Sequence, residues 1–503
     1  MLSMPRSHFT DRPHNPRPQK KSGNNPIIPR IEPKSDLLYR LRQRFSLPQS
    51  ENSAVRQEIE WFAAHPDYLD RVFGRAERYL FYITEELEKR KMPSDLALLP
   101  IIESAYDPFA YSHGRAAGLW QIIPGTADQL GLKQNWWYDA RRDVVDSTRG
   151  ALDYLQQLHE MFQGDWLLAI AAYNSGAGNV TRALRRASAA SEPTDFWHIK
   201  LYLPLETRAY IPRLLAIQKL VASPESYGVT LPSIANEAYF EIIDTGGQMD
   251  MTTAMELAGI SGDQLYLLNP GINRWATNPD GPHRLLIPTQ SAKMFLTSLL
   301  TLGERDRVRW TRHKVVSGET LSDLALRYQT TPKVLSEVNN LENDLIRADE
   351  HLMIPHAVKG PSAYIHSVDA RTERKQNQPR KGQRQTHLVQ QGESLWTISK
   401  HYKVGIRDLA IWNAMAPGDL LREGRRLVVW TTQPTPAHRQ IPQKERIRQL
   451  TYVVRKGDSL SGIGNRFRVT IAELLKWNNI STNQYLQPGQ QLVMYVDVTK
   501  QST

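Results

Sequence analysis

The chain has 503 residues, a formal net charge of +11 and 40% hydrophobic residues. Because a single hydrophobic core stops growing well below this length, the chain is expected to form several domains. The absence of cysteine excludes disulfides, thiol nucleophiles and thiolate metal sites. The chain contains no run of about eighteen or more apolar residues, so its sequence predicts no membrane-spanning helix.

The basic residues are concentrated in the first thirty residues and in the stretch 371–386. No helix-turn-helix, zinc-finger or aromatic-basic motif accompanies them, so nucleic acid is not the expected partner. Residues 1–34 are predicted to be a disordered basic tail. They contain no apolar stretch of signal-peptide length, so either an export signal is missing from this version of the chain or export is not classical.

The segment 35–228 is predicted to be a mainly α-helical domain, because its apolar residues recur at three- and four-residue spacings. Ser94 is predicted to cap a helix over 94–106, and Asp107-Pro108 is predicted to end it, since the residue before proline is displaced from the helical region. Further helices are predicted around 147–162, 165–173 and 205–221.

One pattern is repeated three times in the C-terminal half of the chain, with an Asn 21 positions after a Gly in each copy. The predicted elements are strand, Gly-turn, helix, helix and strand. The predicted modules are 312–356, 387–431 and 450–496, with a basic linker at 357–386 and a Pro-rich linker at 432–447. A looser copy with different intervals lies at 236–300, and whether it is a fourth module is left open.

Glu103 is the side chain best suited to chemistry, because Leu98, Leu99, Ile101 and Ile102 surround it in sequence. Apolar surroundings disfavour a carboxylate, so its pKa is expected to rise and the protonated acid to persist near neutral pH. A general acid for cleaving a glycosidic bond needs this property. From this helix alone, a Glu that only bonds to neighbouring backbone is an equal alternative.

Four ordered blocks over roughly 95–215 carry a resemblance to a known family. They read ESAYDP (103–108), GLWQ (118–121), AYNSG (172–176) and LPLETRAY (203–210). The chain resembles the lytic transglycosylase family, which shares the lysozyme-like fold, and is most similar to its membrane-bound lytic murein transglycosylase D type. The repeats resemble LysM modules. The implied architecture is multidomain, with a mainly α lysozyme-like catalytic domain followed by small α+β (βααβ) LysM modules.

The resemblance implies a role for each matching residue of the catalytic domain. Glu103 matches the catalytic acid/base, and Tyr210 is the better of two tyrosines to orient it. Ser112 matches a hydroxyl that contacts N-acetylmuramic acid. The remaining matched residues that bind substrate are Gln121, Tyr173 and Asn174.

The nearest second acid, Asp107, reads as a turn residue, while Asp143 and Asp146 lie further along the chain and their separation from Glu103 is left open. Hydrolysis by a second carboxylate therefore lacks an evident base. As the resemblance implies, Glu103 protonates the bond between N-acetylmuramic acid and N-acetylglucosamine. It then takes a proton from the muramyl C6 hydroxyl, which closes a 1,6-anhydro ring. No metal and no cofactor are implied.

The resemblance to LysM modules implies binding to glycans that contain N-acetylglucosamine. The Asn of each repeat is either a helix-end cap or a ligand contact. Several weak sites on one chain would retain the enzyme on its polymer. The candidate glycan-binding residues are Gly318, Thr320, Gly392, Ser394, Gly457 and Ser459.

Two other functions stay open: a lysozyme-like muramidase that uses water, and a non-catalytic scaffold that binds peptidoglycan. The expected partner is the peptidoglycan glycan strand, and the chain is expected to be a monomer. We expect a location in the periplasm or cell envelope. Attachment to the outer membrane is left open, because there is no Cys to carry a lipid.

Overall fold

The structure is a computed structural model, and its described residues fall into two compact units that divide after Arg374. The described residues are 35–303, 306–341, 345–431, 447–454, 459–460, 463, 469, 471–478, 480 and 489–497. The predicted tail at 1–34, nearly all of the predicted Pro-rich linker and Gly457 therefore lie outside the described residues.

The N-terminal part of the first unit consists of helices. They are α1 (Leu37–Arg42), α2 (Ser53–Ala63), α3 (Pro66–Ala76), α4 (Leu80–Lys89), α5 (Leu99–Ser104), α6 (Pro124–Gln129), α7 (Val144–Met161), α8 (Trp166–Ser175), α9 (Ala177–Ala189), α10 (Phe196–Ile199) and α11 (Leu205–Ala222). Helix α8 is the central one, because every residue from Leu167 to Ala172 is buried. Helices α7, α8 and α11 correspond to the three helices that the sequence predicts around 147–162, 165–173 and 205–221.

Side-chain caps determine where several of these helices begin. The side chain of Asn52 accepts a hydrogen bond from Val55 N at the start of α2, and that of Asp165 accepts one from Leu168 N at the start of α8. Such bonds satisfy backbone donors that have no partner within the helix.

The segment 94–106 differs from its prediction at both ends. Residues Ser94–Leu98 form a 3₁₀ turn before α5, and the Ser94 hydroxyl caps no helix but donates to Leu41 O at 2.9 Å. Helix α5 ends at Ser104, before Asp107-Pro108, because Ala105 and Tyr106 have positive φ angles of 51° and 54°. This left-handed turn directs the Tyr106 ring into the core, where its hydroxyl donates to Ala97 O at 2.6 Å.

The C-terminal parts contain small two-stranded antiparallel sheets, each with helices between its strands. This confirms the predicted fold class. The first module has β1 (Phe240–Asp244), α12 (Met251–Ala258), α13 (Gly262–Leu268) and β2 (Arg284–Pro288), followed by α14 (Thr289–Thr301). The second has β3 (Arg309–Lys314), α15 (Leu321–Arg327), α16 (Pro332–Val338) and β4 (His351–His356).

Helix α17 (Val368–Asn377) spans the division between the two units. The third module then has β5 (Gln383–Leu388), α18 (Leu395–Tyr402), α19 (Ile406–Trp412) and β6 (Arg426–Thr431). The described residues of the fourth include β7 (Ile447–Val453), α20 (Ile471–Asn478) and β8 (Gln491–Asp497).

An Asn at the end of the second helix joins that helix to the last strand in every module. In the third module, Nδ2 of Asn413 donates to Leu409 O and Val428 O, and its Oδ1 accepts from Val428 N, all at 2.7–2.8 Å. Asn269, Asn339 and Asn478 make the same three bonds. These bonds use both amide protons and the amide oxygen, which favours the structural reading of the repeated Asn over the ligand-binding one.

The looser copy, which lies within the predicted segment 236–300, packs directly on the helical domain and shares its hydrophobic core. The Tyr79 hydroxyl donates to Leu267 O at 2.7 Å, and Arg284 forms an ion pair with Asp143 at 2.7 Å. The first module is therefore part of the same packed unit as the helices.

Residues 357–374, which lie within the segment predicted to be a basic linker, form a strap that packs against this unit. Tyr364 is buried, and its hydroxyl donates to Asp250 at 2.8 Å. His366 stacks on Phe109 with a centroid separation of 5.2 Å, and the Arg371 guanidinium lies 4.6 Å from the centre of the same ring. Aromatic and cation–π contacts allow these polar residues to pack.

Within the part of the chain that the structure describes, no helix combines the length and apolar character needed to cross a membrane.

Candidate active site

A cleft of about 650 Å³ opens in the helical domain, between α3, α5, α6, α7, α8 and the start of α11. Five of the six residues that the sequence predicts for the catalytic site line it: Glu103, Ser112, Gln121, Tyr173 and Asn174. Tyr210, the sixth, is buried and contacts Glu103.

Glu103 lies in the last turn of α5, and the neighbouring residues hold that turn in place. The Ser104 hydroxyl donates to Pro100 O at 3.1 Å and to Leu119 O at 2.9 Å, which ties α5 to the loop beneath the cleft. Ser104 therefore has a structural role. The end of α5 points Glu103 into the cleft while Ile101 packs into the core.

Burial raises the pKa of Glu103 to about 8. A hydrogen bond from the Tyr210 hydroxyl to Oε1 opposes this rise, because it stabilises the carboxylate, and the negative charge of Glu206 adds to it. The residue is half-buried, because one side of it faces the cleft. At neutral pH the protonated acid is the major form.

The two tyrosines beside Glu103 are neutral hydrogen-bond donors. Burial raises the pKa of Tyr210 and of Tyr173 well above the usual value for a phenol. The Tyr173 hydroxyl donates to Trp120 O at 2.8 Å, which orients the ring along the cleft wall. Trp120 itself is fully buried and donates from Nε1 to Thr148 at 3.0 Å, so it is a core residue.

The other predicted polar groups are held in place by the protein. Oγ of Ser112 accepts from Ala116 N at 3.0 Å. Nε2 of Gln121 donates to Gly118 O at 2.9 Å, and Oδ1 of Asn174 accepts from Thr207 at 2.8 Å. Each side chain is thereby oriented before a ligand arrives, as a site for a polar substrate requires.

Gly118 allows this loop to pass close to the start of α7. Its φ is +78°, and a Cβ at this position would lie 2.2 Å from Arg141 O. Any other residue would therefore displace the loop that carries Gln121.

Glu206 is a cleft residue that the sequence analysis did not single out. It lies in the first turn of α11 and lines the cleft with Glu103, and burial raises its pKa above the usual value. A signal was present, because Glu206 precedes Tyr210 by four residues in a matched block and therefore shares its helix face. Tyr68 of α3, which also lines the cleft, had no such signal, because it lies outside all four blocks.

The remaining acids weighed in the sequence have structural roles. Oδ1 of Asp107 accepts from Phe109 N at 2.9 Å in a turn, as predicted. Asp143 caps α7 and pairs with Arg284, and Asp146 accepts from the Tyr138 hydroxyl at 2.8 Å. Across the described ranges, no group of three His, Asp or Glu side chains is arranged to hold a metal ion.

The candidate glycan-binding residues of the repeats lie in turns that precede helices. Gly318 and Gly392 have positive φ angles of 91° and 81°, a conformation that favours glycine. Oγ1 of Thr320 accepts from Asp323 N at 3.1 Å and Oγ of Ser394 from Thr397 N at 3.2 Å, so both hydroxyls cap helices while exposed. Ser459 is exposed in the equivalent position.

In two modules a His–Glu pair braces the turn that contains these residues. Glu319 accepts from His313 at 2.8 Å and from Val316 N at 2.9 Å. Glu393 pairs with His387 in the same way at 2.8 Å. The backbone and histidine hydrogen bonds lower the pKa of Glu319 to about 2, so this carboxylate stays ionised and keeps the turn closed.

Family models match most of the described chain. The model "Transglycosylase SLT domain" matches residues 81–196. The LysM domain model matches 313–355, 387–430 and 452–494, and the model "Lytic transglycosylase MltD, LysM-like domain" matches 239–303.

Among curated proteins, the chain is 36% identical over 406 residues to "Membrane-bound lytic murein transglycosylase D" of Escherichia coli strain K12, covering 78% of this chain and 86% of that protein. It is 46% identical over 138 residues to "Putative tributyltin chloride resistance protein" of Alteromonas sp. strain M-1, covering 27% of this chain and 67% of that one. Among solved structures, an inactive mutant of lytic transglycosylase Slt from Pseudomonas aeruginosa matches at 25% identity and a TM-score of 0.24, covering 29% of this chain and 24% of that one.

The helical domain with its four motif blocks, the repeated modules that follow it and this extended similarity lead to one assignment. The chain belongs to the lytic murein transglycosylase family and combines its transglycosylase domain with LysM peptidoglycan-binding modules.

Proposed function

We propose that this enzyme cleaves the β-1,4 bond between N-acetylmuramic acid and N-acetylglucosamine and leaves a 1,6-anhydro end. The observation that supports this best is Glu103: a carboxylic acid in a cleft, kept protonated by burial and held by the hydroxyl of Tyr210. A proton donor of this kind is what departure of the glycosidic oxygen requires.

In the proposed reaction, Glu103 acts twice. Its proton passes to the glycosidic oxygen as the bond from that oxygen to muramyl C1 breaks, and the Tyr210 hydroxyl stabilises the carboxylate that forms. The C6 hydroxyl of the same sugar then forms a bond to C1, and its proton returns to Glu103. The nucleophile belongs to the substrate, so its effective concentration is high and no bound water is needed.

A muramidase is the second candidate, because Glu206 faces the same cleft. A hydrolase of this type needs an ionised second carboxylate to activate water. We propose that Glu206 instead acts by charge, by raising the pKa of Glu103.

Mass spectrometry of digested peptidoglycan separates the two candidates. We expect anhydro-muropeptides from the intact enzyme, no products from Glu103→Gln, and anhydro-muropeptides again from Glu206→Gln. Hydrated reducing ends that disappear in Glu206→Gln would establish the muramidase, and cleavage by Glu103→Gln would remove Glu103 from the mechanism.

We further propose that Ser112, Gln121, Tyr173 and Asn174 contact the glycan in the cleft. The LysM modules, with the predicted bounds 312–356, 387–431 and 450–496, would hold the strand through their Gly-turns, and the segment 236–300 would be a fourth module of the same origin. A peptidoglycan substrate supports a location of the enzyme in the cell envelope. The candidate residues in the turns are Gly318, Thr320, Gly392, Ser394, Gly457 and Ser459.

A further inference from the structure

An aromatic surface continues from the catalytic cleft across α2 and α3. Tyr68 lines the cleft, and its hydroxyl lies 3.5 Å from the carbonyl oxygen of Ile101, two residues before Glu103. The ring of Trp61 contacts Tyr68 edge-on at a centroid distance of 5.5 Å, and 45% of Trp61 is exposed. We call Trp61, His65 and Tyr68 the aromatic shelf.

The shelf is a rigid surface. His65 stacks against one face of Trp61 at a centroid distance of 4.3 Å, and its Nδ1 lies 2.6 Å from Trp61 O. The buried ring of Phe62 packs against Trp61 at 5.1 Å and against Tyr68 at 6.0 Å. An exposed indole that is already fixed in place loses little conformational entropy when a ligand stacks on it.

The exposed part of the Trp61 ring calls for an explanation, because leaving a large apolar ring in water has a free-energy cost. The apolar face of a pyranose ring is a natural occupant of such a surface. Its ring hydrogens pack on the aromatic face while its hydroxyls stay in water, as in other sites for amphipathic ligands. A glycan strand in the cleft would reach this surface by continuing past Tyr68.

The charge around the shelf suits a strand that carries acidic peptide stems. The positive charges of Arg213, Arg75 and Arg71 lie close enough to Tyr68 to lower its pKa against the stronger effect of burial. Arg213 is engaged with Glu58 at 3.1 Å, and Arg75 donates to Ala105 O at 3.3 Å. Arg71 and Arg75 are exposed at the surface beside the cleft, where the carboxylates of a stem peptide would pass.

We propose that the aromatic shelf is a glycan subsite, in which Trp61 stacks on a sugar ring of the peptidoglycan strand beyond the sugars that flank the cleaved bond. This inference rests on the proposed function, since it takes the same strand as the ligand. The subsite would be used only by strands long enough to extend from Glu103 past Tyr68. Its effect on cleavage should therefore depend on the length of the substrate.

The test compares kcat/KM of the full-length chain on peptidoglycan glycan oligomers of increasing length. For Trp61→Ala we expect a loss of roughly 5- to 20-fold on long oligomers, shrinking towards none on the shortest oligomer that is cleaved. Trp61→Phe, which keeps an aromatic face, should lose less. A general folding defect would lower the rates on all lengths alike, so the length dependence is an internal control.

Trp166 provides a matched control. It also stacks on a histidine, His159, at 3.9 Å, but it begins α8, about 13 Å along the helix from the cleft residues near Ser175. Trp166→Ala should show no length dependence. A loss in Trp61→Ala that is equal at all lengths, or no loss on long oligomers, would overturn the subsite. The proposed chemistry is judged separately, by the anhydro ends of the products.

Discussion

The pKa of Glu103 results from three effects that act in opposite directions. Burial has the largest effect and raises its pKa, the hydrogen bond from Tyr210 lowers it, and the charge of Glu206 raises it. Tyr210 and Glu206 lie on the same helix, α11, one turn apart. Helix α11 therefore carries both the hydroxyl that stabilises the Glu103 carboxylate and the carboxylate that destabilises it.

Two substitutions in α11 should shift the pH profile in opposite directions. The proposed reaction requires the protonated acid, so kcat/KM on soluble glycan should fall as the pH rises through about 8. Tyr210→Phe removes a hydrogen bond that favours the carboxylate. It should move the fall in kcat/KM to higher pH, besides lowering the rate. Glu206→Gln removes the repulsion between the two carboxylates and should move the fall in kcat/KM to lower pH. Shifts in the same direction would contradict this account.

Glu103→Gln should stabilise the protein at alkaline pH. The pKa of Glu103 is about 8 in the folded protein, against 4.5 for an ordinary glutamate. Once the pH exceeds 4.5, folding therefore has to keep the acid protonated or bury its charge. The resulting penalty grows between the two values and is then constant. We expect Glu103→Gln to add about 1–3 kcal/mol at pH 8, since cleft water reduces the full effect, and almost nothing at pH 4. Chemical denaturation at both pH values measures it, and an equal gain at both would contradict the shift.

At the scale of elements, the repeated Asn explains how such small modules hold two helices against two strands. Each module contains one sheet of two strands, an arrangement that is marginal alone in water. Three hydrogen bonds from one side chain connect the end of the second helix to the middle of the last strand. The same residue thus serves as a helix cap and as a link between elements.

Asn413→Ala should loosen the third module. The side chain is fully buried, and its loss leaves Val428 N, Val428 O and Leu409 O without their partner, at a cost of about 2–4 kcal/mol. Hydrogen exchange on the full chain should show faster exchange of Val428 and of the strand Arg426–Thr431. Asn339→Ala, at a less buried position, should have the smaller effect in its own module. Unchanged protection of β6 would show that the bonds contribute little.

For the whole molecule, the division after Arg374 separates two groups of modules. The module at β1–β2 and the strap pack on the helical domain, whereas the third and fourth modules belong to the second unit. Several weak glycan sites on one chain raise retention on a polymer through effective concentration. They add nothing for a substrate too short to reach two sites.

Removal of residues 378–503 should therefore separate binding from catalysis. This truncation keeps α17 and the strap intact. We expect cleavage of short soluble glycan to stay within about twofold of the full chain, while retention on insoluble peptidoglycan falls by about tenfold or more. Cosedimentation and product release measure the two quantities. Retention that is unchanged would show that the second unit does not anchor the enzyme.

The sequence by itself determined the features that depend on local pattern. The helical character of 35–228, the three spaced repeats and the helices around α7, α8 and α11 follow from periodicity. The resemblance carried by the motif blocks implied the lysozyme-like fold and pointed to Glu103 and five further residues that lie in or next to the cleft. These features could be predicted because each is encoded within one turn, one helix or one contiguous block.

Only the tertiary structure decided the features that depend on segments meeting across long distances in the chain. Glu206 faces Glu103 because α11 packs against α5, and Tyr68 joins the cleft because α3 lies beside it. Helix α5 ends at Ser104 because the Tyr106 ring is buried, an outcome that the nearby proline did not indicate. The strap packs against the helical domain because His366 and Arg371 both contact the ring of Phe109. Composition describes how soluble a segment is, but burial depends on the surface that it meets.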